Sequence, residues 1–276
     1  MAKDAAESAR ISYKKRLGAV GLQVRVSDGD AQQASPSTLN LLAAVPIVPI
    51  PKTVYLSRHG EAEHNPTADW GLRDPGLTSE GRRQARALRG DELLKSVLVG
   101  GAGGISLVVV SPLRRCLETA RALLEGLHTL RCPVVAHPDI QETSDSPCDT
   151  GHPPAVLSVE FPEVDFDLVP SDWYDKRRRG NEMAMVRLGR FQNWLATRPE
   201  QTILVIGHLN SLRQLTGGDL RLSNCGVTKY SFSHHGWSVA ELHASDAARR
   251  PVLPGKATAA GVTPTVLLAS TRRLFT

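Results

Sequence analysis

The stretch that decides the fold is residues 53–60, Thr-Val-Tyr-Leu-Ser-Arg-His-Gly, in which a short apolar run leads directly into a charged loop. Its first five residues are mostly β-branched, aromatic or aliphatic, which is typical of a buried strand. Two further runs have the same form: residues 105–110 (ISLVVV) precede Ser111, and residues 201–206 (QTILVI) precede Gly207. Strands that are apolar almost throughout predict a parallel sheet covered on both faces.

Helical segments between these strands complete the fold prediction. Apolar residues at helical spacing predict helices over residues 79–98, 112–124 and 181–197. Further short strands are predicted at residues 133–136, 227–232 and 237–242. This alternation predicts an α/β fold, a three-layer α/β/α sandwich with a mostly parallel central sheet.

The 276 residues divide into three predicted regions. Residues 1–50 are interpreted as an N-terminal extension with a Pro-rich connector, residues 51–245 as the folded domain, and residues 246–276 as a tail packed on the domain or partly flexible. The longest apolar run, residues 39–50, contains two prolines and is too short to cross a bilayer. No apolar signal segment follows the basic N-terminal residues, so a cytoplasmic location is expected, with organelle targeting left open.

Composition excludes some classes of protein. Hydrophobic residues make up 41% of the chain, which supports a packed core and excludes a wholly disordered protein. Lys and Arg outnumber Asp and Glu by 33 to 28, and this mild balance favours anionic partners without indicating nucleic acid. The four cysteines form no CxxC pair, which indicates free thiols in a reducing compartment.

Three basic motifs each follow one of the apolar strands. Residues 58–61 (RHGE) follow the first, with Asn65 six positions beyond the histidine. Residues 111–120 (SPLRRCLETA) and 207–213 (GHLNSLR) follow two others. Because the carboxyl ends of parallel strands meet at one edge of the sheet, we expect the motifs to converge on one pocket. Two imidazoles and two guanidiniums in one pocket favour a bound anion, and a guanidinium fork matches the oxygens of a phosphoryl group.

These residue types suit phosphoryl transfer. An imidazole can attack phosphorus and hold the phosphoryl group as phosphohistidine if a hydrogen bond occupies its other nitrogen. Arg58, Arg115 and a protonated His208 are expected to neutralise the charge on the equatorial oxygens. A carboxylic acid would protonate the departing alkoxide and later activate water. No metal or other cofactor is required, because the cationic side chains occupy the positions that a magnesium ion would take.

The three motifs resemble, in the expected order, those of the histidine phosphatase superfamily, the phosphoglycerate mutase-like proteins. The resemblance covers roughly residues 53–243, and residues 142–169 resemble the branch found in fungi and plants. It implies a phosphoglycerate mutase-like fold. It also implies that His59 is the nucleophile and that Glu142 is the proton donor. The phosphate pocket would be completed by Arg58, Arg115 and His208.

The chain departs from the family pattern in two places. Leu209 stands where relatives usually have Gly, and its side chain is expected to narrow the pocket or shift the backbone amide. The segment by which mutases grip the substrate carboxylate is absent after Glu142. A metal-independent phosphomonoesterase acting on a small phosphorylated metabolite is therefore favoured. A phosphoglycerate mutase-type phosphomutase and a catalytically weak phosphoryl-binding protein remain alternatives.

Further residues are candidates for binding the substrate: Asn65, Glu61, Asp149, Leu209, Asn210, Trp173 and Arg178. Trp173 is predicted to stack on the organic leaving group. The basic run at residues 176–179 is interpreted either as a solvated loop or as a rim that attracts a phosphorylated substrate. Glu61, Asp145 and Asp165 are alternative proton donors.

Other partners are not indicated. His64 and Asp69 lack a further ligand at regular spacing, so no metal site is predicted. The expected partner is a small phosphorylated substrate, with no nucleic acid and no membrane, and a homo-oligomer is left open.

Overall fold

The computed structural model describes residues 51–128, 130, 132–175, 183–218, 220–233 and 236–242. In it, six strands form one sheet: β1 (Lys52–Arg58), β2 (Leu107–Val110), β3 (Val134–Ala136), β4 (Thr202–Gly207), β5 (Val227–Ser233) and β6 (Gly236–Leu242). Their order across the sheet is β3-β2-β4-β1-β5-β6. The first four run parallel, whereas β5 is antiparallel to β1 and β6 is antiparallel to β5. The prediction of a mostly parallel α/β sheet is confirmed.

Helices cover both faces of this sheet. They are α1 (His64–Thr67), α2 (Ser79–Ala87), α3 (Arg114–Leu124), α4 (Pro154–Glu160), α5 (Ala184–Thr197) and α6 (Leu209–Leu215). Side chains alternate between the faces of a strand, so each apolar strand needs two covering layers. On one face Tyr55 shares a buried cluster with Leu117 of α3, and on the other Leu56 shares a cluster with Phe191 of α5. The result is the expected three-layer sandwich.

The helix predicted over residues 79–98 is shorter in the structure. Helix α2 ends at Ala87 and continues only as a 3₁₀ turn, Leu88–Gly90. Asp91 then adopts an extended conformation, and its carboxylate accepts a hydrogen bond from the Leu93 amide at 2.9 Å. A side chain that bonds locally to the backbone competes with helix continuation, which accounts for the difference.

Helix α3 begins later than predicted, at Arg114 instead of Pro112. Leu113 is extended, with φ −73° and ψ 136°. The Arg114 amide donates to Oδ1 of Asp74 at 2.9 Å, so a carboxylate from a distant loop caps the helix. This cap comes from far along the chain, and local sequence therefore did not indicate where the helix begins.

Three predicted segments fall outside the described residues. Arg178 and the basic run at residues 176–179 lie there, as do residues 1–50 and 246–276. Within the described ranges, no helix combines the length and apolar character that a membrane span requires.

Candidate active site

Strand register brings the motifs together at the carboxyl edge of the sheet. Arg58 lies opposite Gly207 in the β1–β4 pair, so the next residues, His59 and His208, emerge side by side. The His59 amide donates to the Gly207 carbonyl at 3.0 Å, and the two imidazole centroids lie 5.2 Å apart. Ser111 follows β2 at the same level, its amide bonded to the Ile206 carbonyl at 3.1 Å. The three motifs thus line one edge.

Close packing of two glycines shapes the loop after β1. A Cβ atom on Gly60 would lie 2.6 Å from the Gly81 carbonyl oxygen, and one on Gly81 would lie 2.0 Å from the Glu61 carbonyl oxygen. Both are far inside contact distance, so only glycine allows the first turn of α2 to meet this loop. The Gly60 amide also donates to Oγ1 of Thr119 at 3.0 Å, which ties the loop to α3.

His59 is held in the tautomer of a nucleophile. Its Nδ1 lies 2.7 Å from the Gly60 carbonyl oxygen. A carbonyl only accepts, so Nδ1 carries the proton and Nε2 keeps its lone pair. Burial, reinforced by the nearby positive charges of Arg115 and Arg58, holds the pKa of His59 well below 6.5. The imidazole is therefore neutral at pH 7.

Arg115 is fixed at the floor of the site by three hydrogen bonds. Its Nη1 donates to the Cys148 carbonyl at 2.6 Å, and its Nη2 donates to Oδ1 of Asp149 at 2.7 Å. Nη2 also lies 3.0 Å from Nδ1 of His208. Both members of the Arg115–Asp149 ion pair are buried, so its geometry is shielded from water.

The protonated His208 expected from the sequence needs correction. A guanidinium only donates, so Nδ1 of His208 accepts the bond from Arg115 and the ring is neutral in this geometry. Its Nε2 lies 2.8 Å from Oγ of Ser111. His208 is fully buried behind Arg115 and contributes no surface to the cleft. It supports Arg115 and lies beside His59.

Both arginines present a buried nitrogen with unused bonding capacity. Nη1 of Arg58 donates to the Leu222 carbonyl at 3.3 Å. The Nε atoms of Arg58 and Arg115 are buried and find no hydrogen-bond partner among the described residues. Buried donors of this kind are costly unless a ligand satisfies them.

The Glu142 side chain lies beside the N-terminus of helix α6, although Glu142 itself belongs to a different segment. There it accepts backbone hydrogen bonds. Its Oε1 receives the amides of Thr143 at 2.8 Å and Ser211 at 3.1 Å, and its Oε2 receives the Asn210 amide at 3.3 Å. Burial raises the pKa of Glu142 above its usual value, although these amides oppose the shift. Burial therefore favours the protonated form of this carboxyl group more than water does.

These side chains line a cleft of about 410 Å³. Its lining residues are Arg58, His59, His64, Asn65, Trp70, Arg115, Glu142, Ser144, Ser146, Cys148, Asp149, Leu209 and Asn210. A larger groove of about 700 Å³ lies beside Leu127 and Val159. Its described lining includes no histidine and none of Arg58, Arg115 and Glu142, so we place the candidate site in the smaller cleft.

The candidate substrate-binding residues separate into two groups. Asn65, Asp149, Leu209 and Asn210 all line the cleft. Glu61 does not, because its carboxylate accepts a hydrogen bond from Oγ1 of Thr78 at 2.8 Å. The Glu61 carboxylate thus bonds to the N-cap residue of α2, outside the cleft lining, and its role in substrate binding stays a prediction. The alternative donors Asp145 and Asp165 also lie outside the cleft lining.

Trp173 requires the clearest correction. Its side chain is 0% exposed and belongs to the apolar cluster around α3. The indole Nε1 donates to the His152 carbonyl at 2.8 Å, and the ring packs so closely on Gly151 that a Cβ there would lie 2.5 Å away. A ring with no exposed surface is unavailable for stacking on a leaving group.

Sequence reasoning missed several residues of the site. Trp70, Ser144 and Ser146 line the cleft. Nδ2 of Asn224 donates to the His59 carbonyl at 3.1 Å and to Oδ1 of Asn65 at 3.3 Å, so it supports both. Trp70 could have been predicted, because a tryptophan in a Gly- and Pro-rich loop just after the RHGE motif indicates a residue of a binding site. Nothing local distinguished Asn224.

The chain is similar to several known proteins. Phosphoglycerate mutase-like protein 1 of Arabidopsis thaliana is 28% identical over 221 residues, a match that covers 63% of this chain and 77% of the relative. A probable phosphatase of Schizosaccharomyces pombe is 29% identical over 181 residues, with the same coverage of 63% and 77%. A putative α-ribazole-5′-P phosphatase from Escherichia coli has a TM-score of 0.47 and 22% identity, covering 70% of this chain and 97% of that one.

The sequence model of the histidine phosphatase superfamily (branch 1) matches residues 54–246. This range holds all three motifs and the cleft that they form. Because the match spans well over half of the 276 residues, the chain belongs to the histidine phosphatase superfamily, branch 1.

Proposed function

We propose that the protein is a metal-independent phosphomonoesterase that acts on a small phosphorylated metabolite through a phosphohistidine intermediate. One observation carries this proposal. The neutral His59 lines the same cleft as two arginines whose buried Nε atoms lack partners among the described residues. A nucleophile beside two unsatisfied cationic donors suits the oxygens of a phosphoryl group.

In the first step, Nε2 of His59 attacks phosphorus. The Nε2–P bond forms as the P–O bond to the leaving group breaks. Arg58 and Arg115 donate hydrogen bonds to the phosphoryl oxygens and stabilise their charge. The ion pair with Asp149 and the bond to His208 hold Arg115 in place, so little reorganisation is needed during the reaction.

Glu142 supplies the proton that the leaving oxygen requires. Burial raises its pKa, which favours the protonated form that a proton donor needs, and Glu142 lines the cleft with His59. After the alcohol leaves, the carboxylate accepts a proton from water as water attacks the phosphohistidine. This step releases inorganic phosphate and restores both side chains.

A relative's name supports the hydrolytic outcome. The Schizosaccharomyces pombe protein, 29% identical over 181 residues, is named a probable phosphatase. The Arabidopsis relative is named as mutase-like, so the acceptor of the phosphoryl group must be tested directly.

The decisive experiment is a screen of phosphorylated metabolites with wild type and His59→Ala in the presence of EDTA. We expect wild type to release phosphate and His59→Ala to lose at least roughly 1,000-fold in kcat, because the nucleophile is removed. His128→Ala is the matched control, since His128 is exposed and is not among the residues that line the cleft. Hydrolysis that survives His59→Ala contradicts the mechanism, and hydrolysis abolished by EDTA contradicts metal independence.

A second experiment tests the acid and the acceptor. Glu142→Gln should slow alkyl phosphates far more than nitrophenyl phosphate, whose leaving group needs no proton. Equal losses would reassign the acid. Transfer of labelled phosphate to a second alcohol instead of water would indicate a phosphomutase. Tight phosphate or vanadate binding without turnover would indicate a phosphoryl-binding protein.

A further inference from the structure

Trp70 is an exposed aromatic residue in the wall of the cleft. Its side chain is 53% exposed, although it lines the same cleft as His59. The indole lies 5.3 Å from the ring of His64, and the ring of His64 lies 6.3 Å from that of His59. The ring of His64 therefore lies between Trp70 and the nucleophile His59. The organic part of a phosphate ester bound at His59 would extend outward toward Trp70.

The segment that carries Trp70 is held in place by backbone hydrogen bonds. The Cys148 amide donates to the Trp70 carbonyl at 3.2 Å, and the Asp74 amide donates to the Pro147 carbonyl at 3.3 Å. The Gly71 amide donates to Oδ1 of Asp69 at 3.0 Å. The indole is thus presented from a fixed backbone, which lowers the entropy lost when a ligand stacks on it.

The ring between Trp70 and the nucleophile is uncharged. Nδ2 of Asn65 lies 3.0 Å from Nε2 of His64 and donates to it, because an amide nitrogen has only donors. Burial lowers the pKa of His64 to about 4, so the imidazole is neutral at pH 7. The two rings that lead outward from His59, those of His64 and Trp70, are therefore both uncharged at pH 7.

We infer that Trp70 is a stacking platform for the leaving group, and that the substrate is a phosphomonoester whose alcohol carries a flat aromatic or similarly planar apolar group. This inference rests on the proposed function, since it names the substrate class of the same cleft. A large aromatic surface left open to water in a cleft gains free energy when a second π face covers it. Stacking of one ring changes affinity by roughly tenfold.

The test uses two esters with leaving groups of equal chemistry, 2-(1-naphthyl)ethyl phosphate and propyl phosphate. Both release a primary alkoxide, so they differ in the ring and not in the need for a proton. We expect Trp70→Ala to lower kcat/KM about tenfold for the naphthyl ester. For the propyl ester the loss should be at least five times smaller, which means no more than about twofold. Trp70→Phe should restore most of the loss, because phenylalanine keeps a π face.

Leu72→Ala is the matched control. Leu72 belongs to the same loop and is 39% exposed, but it does not line the cleft. It should leave kcat/KM for both esters within twofold of wild type. Equal losses on both esters, no loss on either, or the same selective loss in Leu72→Ala would overturn the inference.

Binding separates this inference from the proposed function. The phosphonate analogues of the two esters resist hydrolysis, and calorimetry measures their affinities whether or not the protein turns over. Wild type should prefer the naphthyl phosphonate, and Trp70→Ala should lose that preference. If the preference persists in Trp70→Ala, the stacking role is wrong even where His59-dependent hydrolysis is observed. If hydrolysis is absent but the preference depends on Trp70, only the proposed function fails.

Discussion

Asp74 is a buried carboxylate that the fold stabilises best in its protonated form. It is 1% exposed, and its Oδ1 caps α3 by accepting the Arg114 amide. Its Oδ2 is buried without a hydrogen-bond partner in the described part of the chain, and Nε2 of His152 lies 3.9 Å away. Burial raises the pKa of Asp74 from 3.8 to about 7. Asp74→Asn should therefore stabilise the protein.

The sign and size of the effect follow from this pKa. The folded state holds the proton of Asp74 more tightly than the unfolded state does. The stability that this proton contributes to the fold is fully present below about pH 3.8 and is lost as pH rises toward 7. Each pKa unit is worth about 1.4 kcal/mol, so the raised pKa of Asp74 costs the fold about 4 kcal/mol at pH 8, where the buried carboxylate is ionised. At pH 5 the cost is about 2 kcal/mol, because the folded state must hold a proton that the unfolded state has lost. Asn keeps the oxygen that caps α3 and tolerates the positive φ of 43° found here.

Urea unfolding at pH 5 and pH 8 measures the difference. The gain from Asp74→Asn should be larger at pH 8 than at pH 5 by about 2–3 kcal/mol. Asp167→Asn is the control, because Asp167 is exposed and its replacement should change the free energy of unfolding by less than about 0.5 kcal/mol at either pH. A gain that is independent of pH, or a loss at pH 8, would refute the reasoning.

Three further predictions concern the loop after β1 and the chemistry of the cleft. Gly81→Ala should lower the free energy of unfolding by at least roughly 3 kcal/mol in urea titrations, because its Cβ would lie 2.0 Å from the Glu61 carbonyl oxygen; a near-neutral change would contradict this packing. Asn224→Ala should lower kcat about tenfold in steady-state assays with little change in Tm, because its amide supports the His59 carbonyl. If kcat falls equally for the best and the poorest substrates and the variant also unfolds, Asn224 contributes to the stability of the fold instead. The pH profile of kcat/KM should show no acidic limb from His59 between pH 7.5 and 6, because burial holds the pKa of His59 well below 6.5. Activity should fall as pH rises through the pKa of Glu142, which burial raises above its usual value; a basic limb that persists in Glu142→Gln would count against this assignment.

Local patterns were sufficient to predict the strands and the positions of the motifs. A buried strand such as β4 is recognisable because six neighbouring residues are apolar or β-branched, whatever surrounds them. The rule that parallel strands end at one edge then placed His59 and Arg115 together, and the structure has both in one cleft. These inferences needed only neighbours in the chain and the handedness of the backbone.

Contacts between distant segments decided the rest. Whether Trp173 faces a ligand or the core depends on Gly151, which packs against it, and sequence spacing does not encode that contact. Likewise, His208 is neutral because Arg115, 93 positions away, donates to it, and α3 begins where a carboxylate from another loop caps it. Burial, tautomer and pKa are properties of surroundings assembled by the whole fold, so they become readable only once those surroundings exist.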